Sequence, residues 1–110
     1  MKTRYFILLF ALAISSCQEE LGPEDEIFRG TWDSSRYAIQ IFQNGYGVCD
    51  IKNRGRCEGN VKIRRGKIIF TSDNESSTVS RKAFDIDVPP TIDANGVEYM
   101  VLDGYRFERH

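Results

Sequence analysis

Histidine, tryptophan and proline are scarce in this chain. Its 110 residues include one histidine, one tryptophan and three prolines. Because His110 is the single imidazole, we expect no zinc site built from histidine and cysteine, and no other metal site is indicated. The charges nearly balance, with 15 basic and 16 acidic residues. This balance excludes nucleic-acid binding that depends on general basicity.

Sequence motifs for catalysis are also missing. The chain has no Gly-x-Ser-x-Gly, no His-Glu-x-x-His, no phosphate-binding loop and no dinucleotide fingerprint. Asp85 and Asp87 could form a carboxylate pair, but alternate acids on a strand are typical of a solvated face. We therefore expect no enzyme activity, no catalytic residue and no cofactor.

The chain has no hydrophobic run long enough to suggest a membrane span. Its apolar run, residues 5–14, has about half of the roughly 20 residues that a spanning helix needs. The run follows Lys2 and Arg4 and leads into Ser15-Ser16-Cys17, the order of regions in a secretory signal peptide. The ending resembles the lipobox of bacterial lipoproteins, which implies removal of residues 1–16 and lipid attachment to Cys17. A transmembrane helix and a cytosolic protein with an apolar start are the alternatives.

An acidic segment follows the cysteine. Residues 18–26 contain five acids and the pair Gly22-Pro23, a composition that predicts a disordered tether over residues 17–26. Gln18-Glu19-Glu20 resembles the acidic signal that sends lipoproteins to the outer face of the outer membrane in some Gram-negative lineages. We expect a lipid-anchored protein of the bacterial outer membrane, on its periplasmic side or at the cell surface. A solvated spacer without a sorting role is the alternative.

Two cysteines remain once Cys17 carries lipid. Cys49 and Cys57 are symmetric about Asn53, so a hairpin centred there places them directly opposite each other. A pair of cysteines in an exported protein favours a disulfide. We therefore expect a bridge between Cys49 and Cys57, with two reduced, buried thiols as the alternative.

Turn signals recur at short intervals along the rest of the chain. They are Asn44-Gly45, Arg54-Gly55, Arg65-Gly66, Asp73-Asn74, Asn95-Gly96 and Asp103-Gly104. The segments between them alternate apolar and polar positions and are rich in β-branched and aromatic residues, which is typical of β-hairpins. The pattern predicts an all-β domain over residues 27–110, a small antiparallel up-and-down β-barrel. A strongly bent open sheet or a small β-sandwich is the alternative.

Pairing the strands about these turns keeps one face apolar from strand to strand. The expected pairs are Gly47 with Gly59, Cys49 with Cys57, Ile51 with Gly55, Val61 with Phe70, Ile63 with Ile68, Met100 with Phe107 and Leu102 with Tyr105. The two glycines leave space inside the barrel, and we expect Trp32 to fill it. Pro89-Pro90 is expected to end the strand that carries Phe84, because proline cannot donate to a ladder.

Gly30-Thr31-Trp32 resembles the Gly-x-Trp that opens the first strand of lipocalin-like barrels. Arg106 resembles the late-strand arginine that lies over that tryptophan in the family. The resemblance covers roughly residues 27–110 and is to small lipocalin-like lipoproteins of uncharacterised function. It implies a structural, barrel-closing role for Gly30, Trp32 and Arg106. The alternation of faces instead turns Arg106 outward, opposite Val101.

These features predict an exported, membrane-anchored and non-catalytic binding or envelope module. We expect a protein or glycan partner met by the loops, because a small barrel with large inward side chains has little interior room. A carrier of a small apolar ligand is the first alternative. A lipocalin-like protease inhibitor that acts through its N-terminal segment is the second.

Overall fold

Eight antiparallel strands form a closed barrel in the order β1 to β8, which confirms the predicted up-and-down topology. The computed structural model describes residues 20–72 and 77–110. The strands are β1 Gly30–Asp33, β2 Tyr37–Ile41, β3 Tyr46–Ile51, β4 Gly55–Arg64, β5 Lys67–Ser72, β6 Arg81–Ile92, β7 Glu98–Leu102 and β8 Tyr105–Arg109. A 3-10 helix, Pro23–Phe28, precedes β1.

Several predictions fall on residues outside the described ranges. They are the signal peptide over residues 1–16, lipid attachment at Cys17, the first residues of the acidic tether and the turn at Asp73-Asn74. Within the described ranges, no helix is long and apolar enough to cross a bilayer.

The strand register agrees with the predicted pairing. Every expected pair is found: Gly47 with Gly59, Cys49 with Cys57, Ile51 with Gly55, Val61 with Phe70, Ile63 with Ile68, Met100 with Phe107, and Leu102 with Tyr105. Two of the turns have positive φ at both central residues, with 53° and 74° at Arg65-Gly66 and 51° and 80° at Asp103-Gly104. This is the geometry of type I′ turns, whose twist matches that of the flanking strands.

The inward faces of the strands meet in one aromatic and aliphatic core. Phe84 lies near its centre, with ring centroids 5.0 Å from Tyr37, 5.8 Å from Phe107 and 6.1 Å from Phe70, each in an edge-to-face arrangement. Such geometry suits the quadrupoles of aromatic rings. The side chains that are almost completely buried are Trp32, Ile39, Ile41, Cys49, Cys57, Ile68, Phe70, Phe84, Met100, Leu102 and Phe107.

The space above Gly47 is filled by residues other than the one predicted. A Cβ atom built on Gly47 would overlap Val61 Cγ2 and lie 3.1 Å from Phe70 Cε2. These side chains come from β4 and β5, the neighbouring strands, whereas Trp32 lies on β1. The expectation that Trp32 fills this space is therefore wrong, although glycine is still required because neighbouring side chains occupy the site.

β6 continues through Pro89-Pro90 to Ile92, so the prediction that these prolines end the strand is wrong. The register shifts on both sides of Val88 mark irregularities of the kind that accommodate proline. In addition, β5 pairs only with residues 81–85 of this strand, and β7 pairs with residues 86–92. The second half of β6 therefore has a ladder on one side, and proline is tolerated there.

The barrel closes where β1 pairs with β8. This seam consists of two paired positions, Trp32 with Arg109 and Asp33 with Glu108. By contrast, β3 and β4 are paired at six positions. Each of the other ladders joins strands that follow one another in the chain.

Residues 20–28, the described part of the segment before β1, lie against the barrel. Leu21 is 9% exposed, and its N–H donates to the carbonyl of Gln43 at 3.0 Å. The helix begins at Pro23, whose fixed φ suits a first helical turn, and ends at the buried Phe28. Two apolar anchors, one on either side of the acids, thus hold residues 21–28 against the barrel, although their composition is typical of a disordered segment.

Candidate functional site

The interior of the barrel is occupied by its own side chains. One depression of about 110 Å³ lies on the outer face of the barrel, and another of about 90 Å³ lies between β4 and the segment before β1. Pockets for small molecules usually measure about 300–1,000 Å³. Among the described residues, a binding surface is therefore expected on the outside of the barrel or at its ends.

One end of the barrel, here termed the capped end, is formed by the 3-10 helix and by loops 42–45, 65–66 and 93–97. Trp32 lies beneath the helix, and its Nε1–H donates to the carbonyl of Phe28 at 2.9 Å. The guanidinium of Arg109 stacks over the indole ring, 4.2 Å from its centroid. The tryptophan therefore has both its polar atom and one ring face satisfied by the cap.

Arg109 also ties the cap to the strands. Its guanidinium donates to the carbonyls of Arg29 and Ile27, the latter at 2.6 Å. Its Nε lies 2.8 Å from Oε1 of Glu98 on β7. One side chain from the end of β8 thus connects the segment before β1, the indole of Trp32 and a neighbouring strand.

Gly30 provides the space that this arrangement needs. Its φ of 125° is one that residues with a side chain rarely adopt. A Cβ atom at this position would also collide with Nη1 of Arg109. Gly30 and Trp32 thus both contribute to the capped end.

The structure corrects the role expected for Arg106. This side chain lies on the outer surface, with its guanidinium 4.0 Å from the ring centroid of Tyr99. It forms ion pairs with Asp93 at 2.6 Å and Glu108 at 3.0 Å. Arg109, not Arg106, covers Trp32. The alternation of faces on β8 predicts this role for Arg109, because Phe107 points inward and residue 109, two positions later, lies on the same face of the strand.

The Arg106 cluster has a clear electrostatic consequence for Asp93. The hydrogen bond from the Arg106 guanidinium, helped by the backbone N–H of Val97, holds the pKa of Asp93 below its usual value. Because ionised Asp93 also accepts from the N–H groups of Asn95 and Val97, it fixes the loop that begins with it.

Cys49 and Cys57 are directly opposed and fully buried, as the hairpin predicted, but both are free thiols in the structure. The predicted disulfide is not formed there, and the reduced alternative is the state observed. Burial, followed by the proximity of Cys57, raises the pKa of Cys49 to about 12. Burial also raises the pKa of Cys57. Neither thiol is disposed to act as a nucleophile or metal ligand at neutral pH.

The other acidic candidates have local partners. Asp85 pairs with Lys67 at 2.5 Å, and Asp87 accepts the N–H of Gly104 at 2.7 Å. The first contact joins β5 to β6, and the second holds the β7–β8 turn against β6. Across residues 20–72 and 77–110, no three histidine, cysteine or acidic side chains converge as they would around a metal ion.

The depression of about 110 Å³, here termed the outer groove, lies across strands β1 to β4. The residues that line it are Thr31, Ala38, Ile39, Gln40, Val48, Asp50 and Arg56. The depression exists because Ala38 and Val48 have small side chains. The Asp50–Arg56 ion pair, at 3.1 Å, and the Gln40 amide provide hydrogen-bonding groups beside it. Tyr46, whose hydroxyl lies 3.4 Å from Glu58, is on the neighbouring part of the same face.

No protein-family model, no curated protein and no solved structure matches this chain.

Proposed function

We propose that this chain is a small lipocalin-like lipoprotein of the bacterial outer membrane. In this proposal, lipid at Cys17 anchors it, and the barrel is a non-catalytic module that binds a glycan or protein partner on its outer surface. The observation that carries the binding mode is the interior, which is packed with large side chains such as Trp32, Phe70, Phe84 and Phe107.

The outer groove has chemistry suited to sugar hydroxyls. An amide from Gln40 and the charged pair Asp50–Arg56 offer both donors and acceptors. The floor of the groove, which includes Ala38 and Val48, is apolar and shallow, so it can contact one face of a sugar ring. We therefore favour a glycan over an enclosed apolar ligand.

Neither alternative is favoured by a specific observation. A carrier needs an interior of several hundred Å³, whereas the described core is filled by large buried side chains such as Trp32, Phe70 and Phe84. An inhibitor that acts through its N-terminal segment needs that segment free to enter a protease, whereas Leu21 and Phe28 are buried against the barrel.

Two experiments test the proposal separately. Labelling with a palmitate analogue in a bacterial host should mark the wild-type chain and not Cys17→Ser, and loss of lipid should release the protein from membranes. Unlabelled wild type would contradict the anchor.

For the binding mode, the purified lipidated protein is applied to a panel of envelope glycans. Val48→Trp, which fills the outer groove, should lose glycan binding. Thr71→Trp, on the outer face of β5, should retain it. Binding of a fluorescent fatty acid by the wild-type protein, with no glycan bound, would instead support the carrier.

A further inference from the structure

Four large apolar side chains are exposed at the capped end of the barrel. Ile27 is 50% exposed, Phe42 38%, Ile92 67% and Val97 36%, and these are the exposed large hydrophobic residues of the described ranges. We infer that they insert into a lipid surface, so that the capped end rests on the membrane to which Cys17 is attached. This inference rests on the lipid anchor of the proposed function.

Hydrogen bonds and strand pairing place the four residues on one end. The carbonyl of Ile27 accepts from Arg109, whose partner Glu98 is paired across the sheet with Ile92. The N–H of Asp93 donates to the carbonyl of Val97 at 2.9 Å, so Ile92 and Val97 flank one short loop.

Phe42 belongs to the neighbouring loop of the same end. Gln43, the next residue, accepts the N–H of Leu21 at 3.0 Å, and its side chain accepts from Arg29 at 3.3 Å. The segment on either side of the 3-10 helix is therefore tied to the loop that carries Phe42. The apolar residues thus surround the point where the chain approaches the barrel.

Covalent geometry decides which surface lies nearest to these residues. Leu21 is bound to the barrel, and only three residues lie between it and Cys17, so the two Cα atoms are at most about 14 Å apart. A lipid on Cys17 would therefore hold the capped end within about 14 Å of the headgroups. A tether extending to residue 26 would have allowed the barrel to move farther and to turn away.

The charges of the capped end are mixed. The 3-10 helix carries Glu24, Asp25 and Glu26, whereas the β4–β5 turn carries the exposed Arg64 and Arg65. Apolar insertion, and not attraction to anionic lipid, is therefore the expected source of contact. Vesicles of zwitterionic phosphatidylcholine, which has no net charge, should therefore be sufficient for insertion of the capped end, and added salt should have little effect on it.

Spin labels at the two ends test the inference on the full lipidated chain in phosphatidylcholine vesicles. Asn95→Cys places a label in loop 93–97, and the control Arg54→Cys places one in the β3–β4 turn at the opposite end. Cys49 and Cys57 are fully buried, so the introduced cysteine is the accessible one. We expect collisions with a water-soluble nickel complex to be several-fold fewer at position 95 than at position 54.

A second pair of proteins identifies the cause. Adding Ile92→Asp and Val97→Asp to Asn95→Cys should return the label to water while lipidation is retained. Both residues are exposed, so the barrel should still fold, and its circular dichroism checks this.

Equal nickel accessibility at the two positions in a palmitate-labelled protein would overturn the docking and leave the anchor intact. Protection at position 95 that disappears on dilution of the protein in the membrane would also overturn it, in favour of a second copy. Absence of palmitate label would overturn both the anchor and the docking.

Discussion

The guanidinium of Arg109 lies 4.2 Å from the centre of the Trp32 indole, and the same two residues are paired across the seam between β8 and β1. A single pair thus joins the first and last strands of the barrel and also supports its cap. We expect Arg109→Ala to lower the free energy of unfolding by about 2–3 kcal/mol, because a stacked cation and charged hydrogen bonds are lost.

Arg106→Ala is the matched control for that substitution. Its ion pairs are on the surface, where solvent screening leaves them little effect on stability, so the loss should be clearly smaller than for Arg109→Ala. Urea unfolding followed by circular dichroism measures both variants. Equal losses in the two would show that Arg109 does not have the closing role described here.

Gly30→Ala should destabilise the barrel through two separable effects. One is the strain of a positive φ, about 1–3 kcal/mol, and the other is the collision with Arg109. Gly96→Ala, at a φ of 82° with open space around it, measures strain without collision. In a double-mutant cycle, Arg109→Ala should relieve part of the Gly30→Ala loss. Additive losses would argue against the contact.

Cys49 and Cys57 should resist alkylation in the folded protein. Because burial raises the pKa of Cys49 to about 12, almost no thiolate forms at pH 8. Mass spectrometry after iodoacetamide treatment should find both thiols unmodified in buffer and both modified in urea, whereas Arg54→Cys should react in buffer. Rapid native modification of either would contradict the buried state.

Oxidation tests whether the opposed thiols can form the predicted bridge. An intramolecular disulfide across so short a loop should stabilise the fold by roughly 2–3 kcal/mol relative to the reduced protein. The midpoint of urea unfolding, measured with and without reductant, gives the difference. Cys49→Ala should show no dependence on reductant, and a dependence that persists in it would exclude this pair as the source.

Asp93 should make stability depend on acid pH. Its pKa is lowered in the folded state, so its contribution is complete above its ordinary value of 3.8 and is lost as the pH falls through the lower, folded value. Below about pH 4 wild type should therefore lose stability more steeply than Asp93→Asn, which keeps no titrating carboxylate. Parallel profiles of the two proteins would contradict the pairing with Arg106.

The barrel itself could be predicted because its information is local. Symmetry about Asn53 and the two-residue turns at Arg65 and Asp103 determine which residues face each other, and alternation then decides the inner face. The features that could not be predicted from the sequence depend on tertiary contacts. The order of residues 20–28 depends on burial of Leu21 and Phe28 against distant loops, which acidic composition conceals.

The capped end and the outer groove also depend on contacts between residues that are distant in the sequence. The arginine over Trp32 depends on which strand meets β1, and that partner is about 80 residues away in the chain. Family resemblance selected Arg106, whereas parity with Phe107 selects Arg109. The outer groove could not be predicted, because it depends on where the small side chains of Ala38 and Val48 lie relative to larger neighbours on adjacent strands.

The two-position seam has a consequence for the order in which the molecule can be assembled. Every described ladder but this one can form between strands that emerge one after the other, so hairpins can accumulate early. Closure of the barrel must wait for β8, because this strand follows the other seven along the chain. Until β8 pairs with β1 the apolar interior stays open along one side, and in the folded protein this short seam is where the strands should first separate during local unfolding.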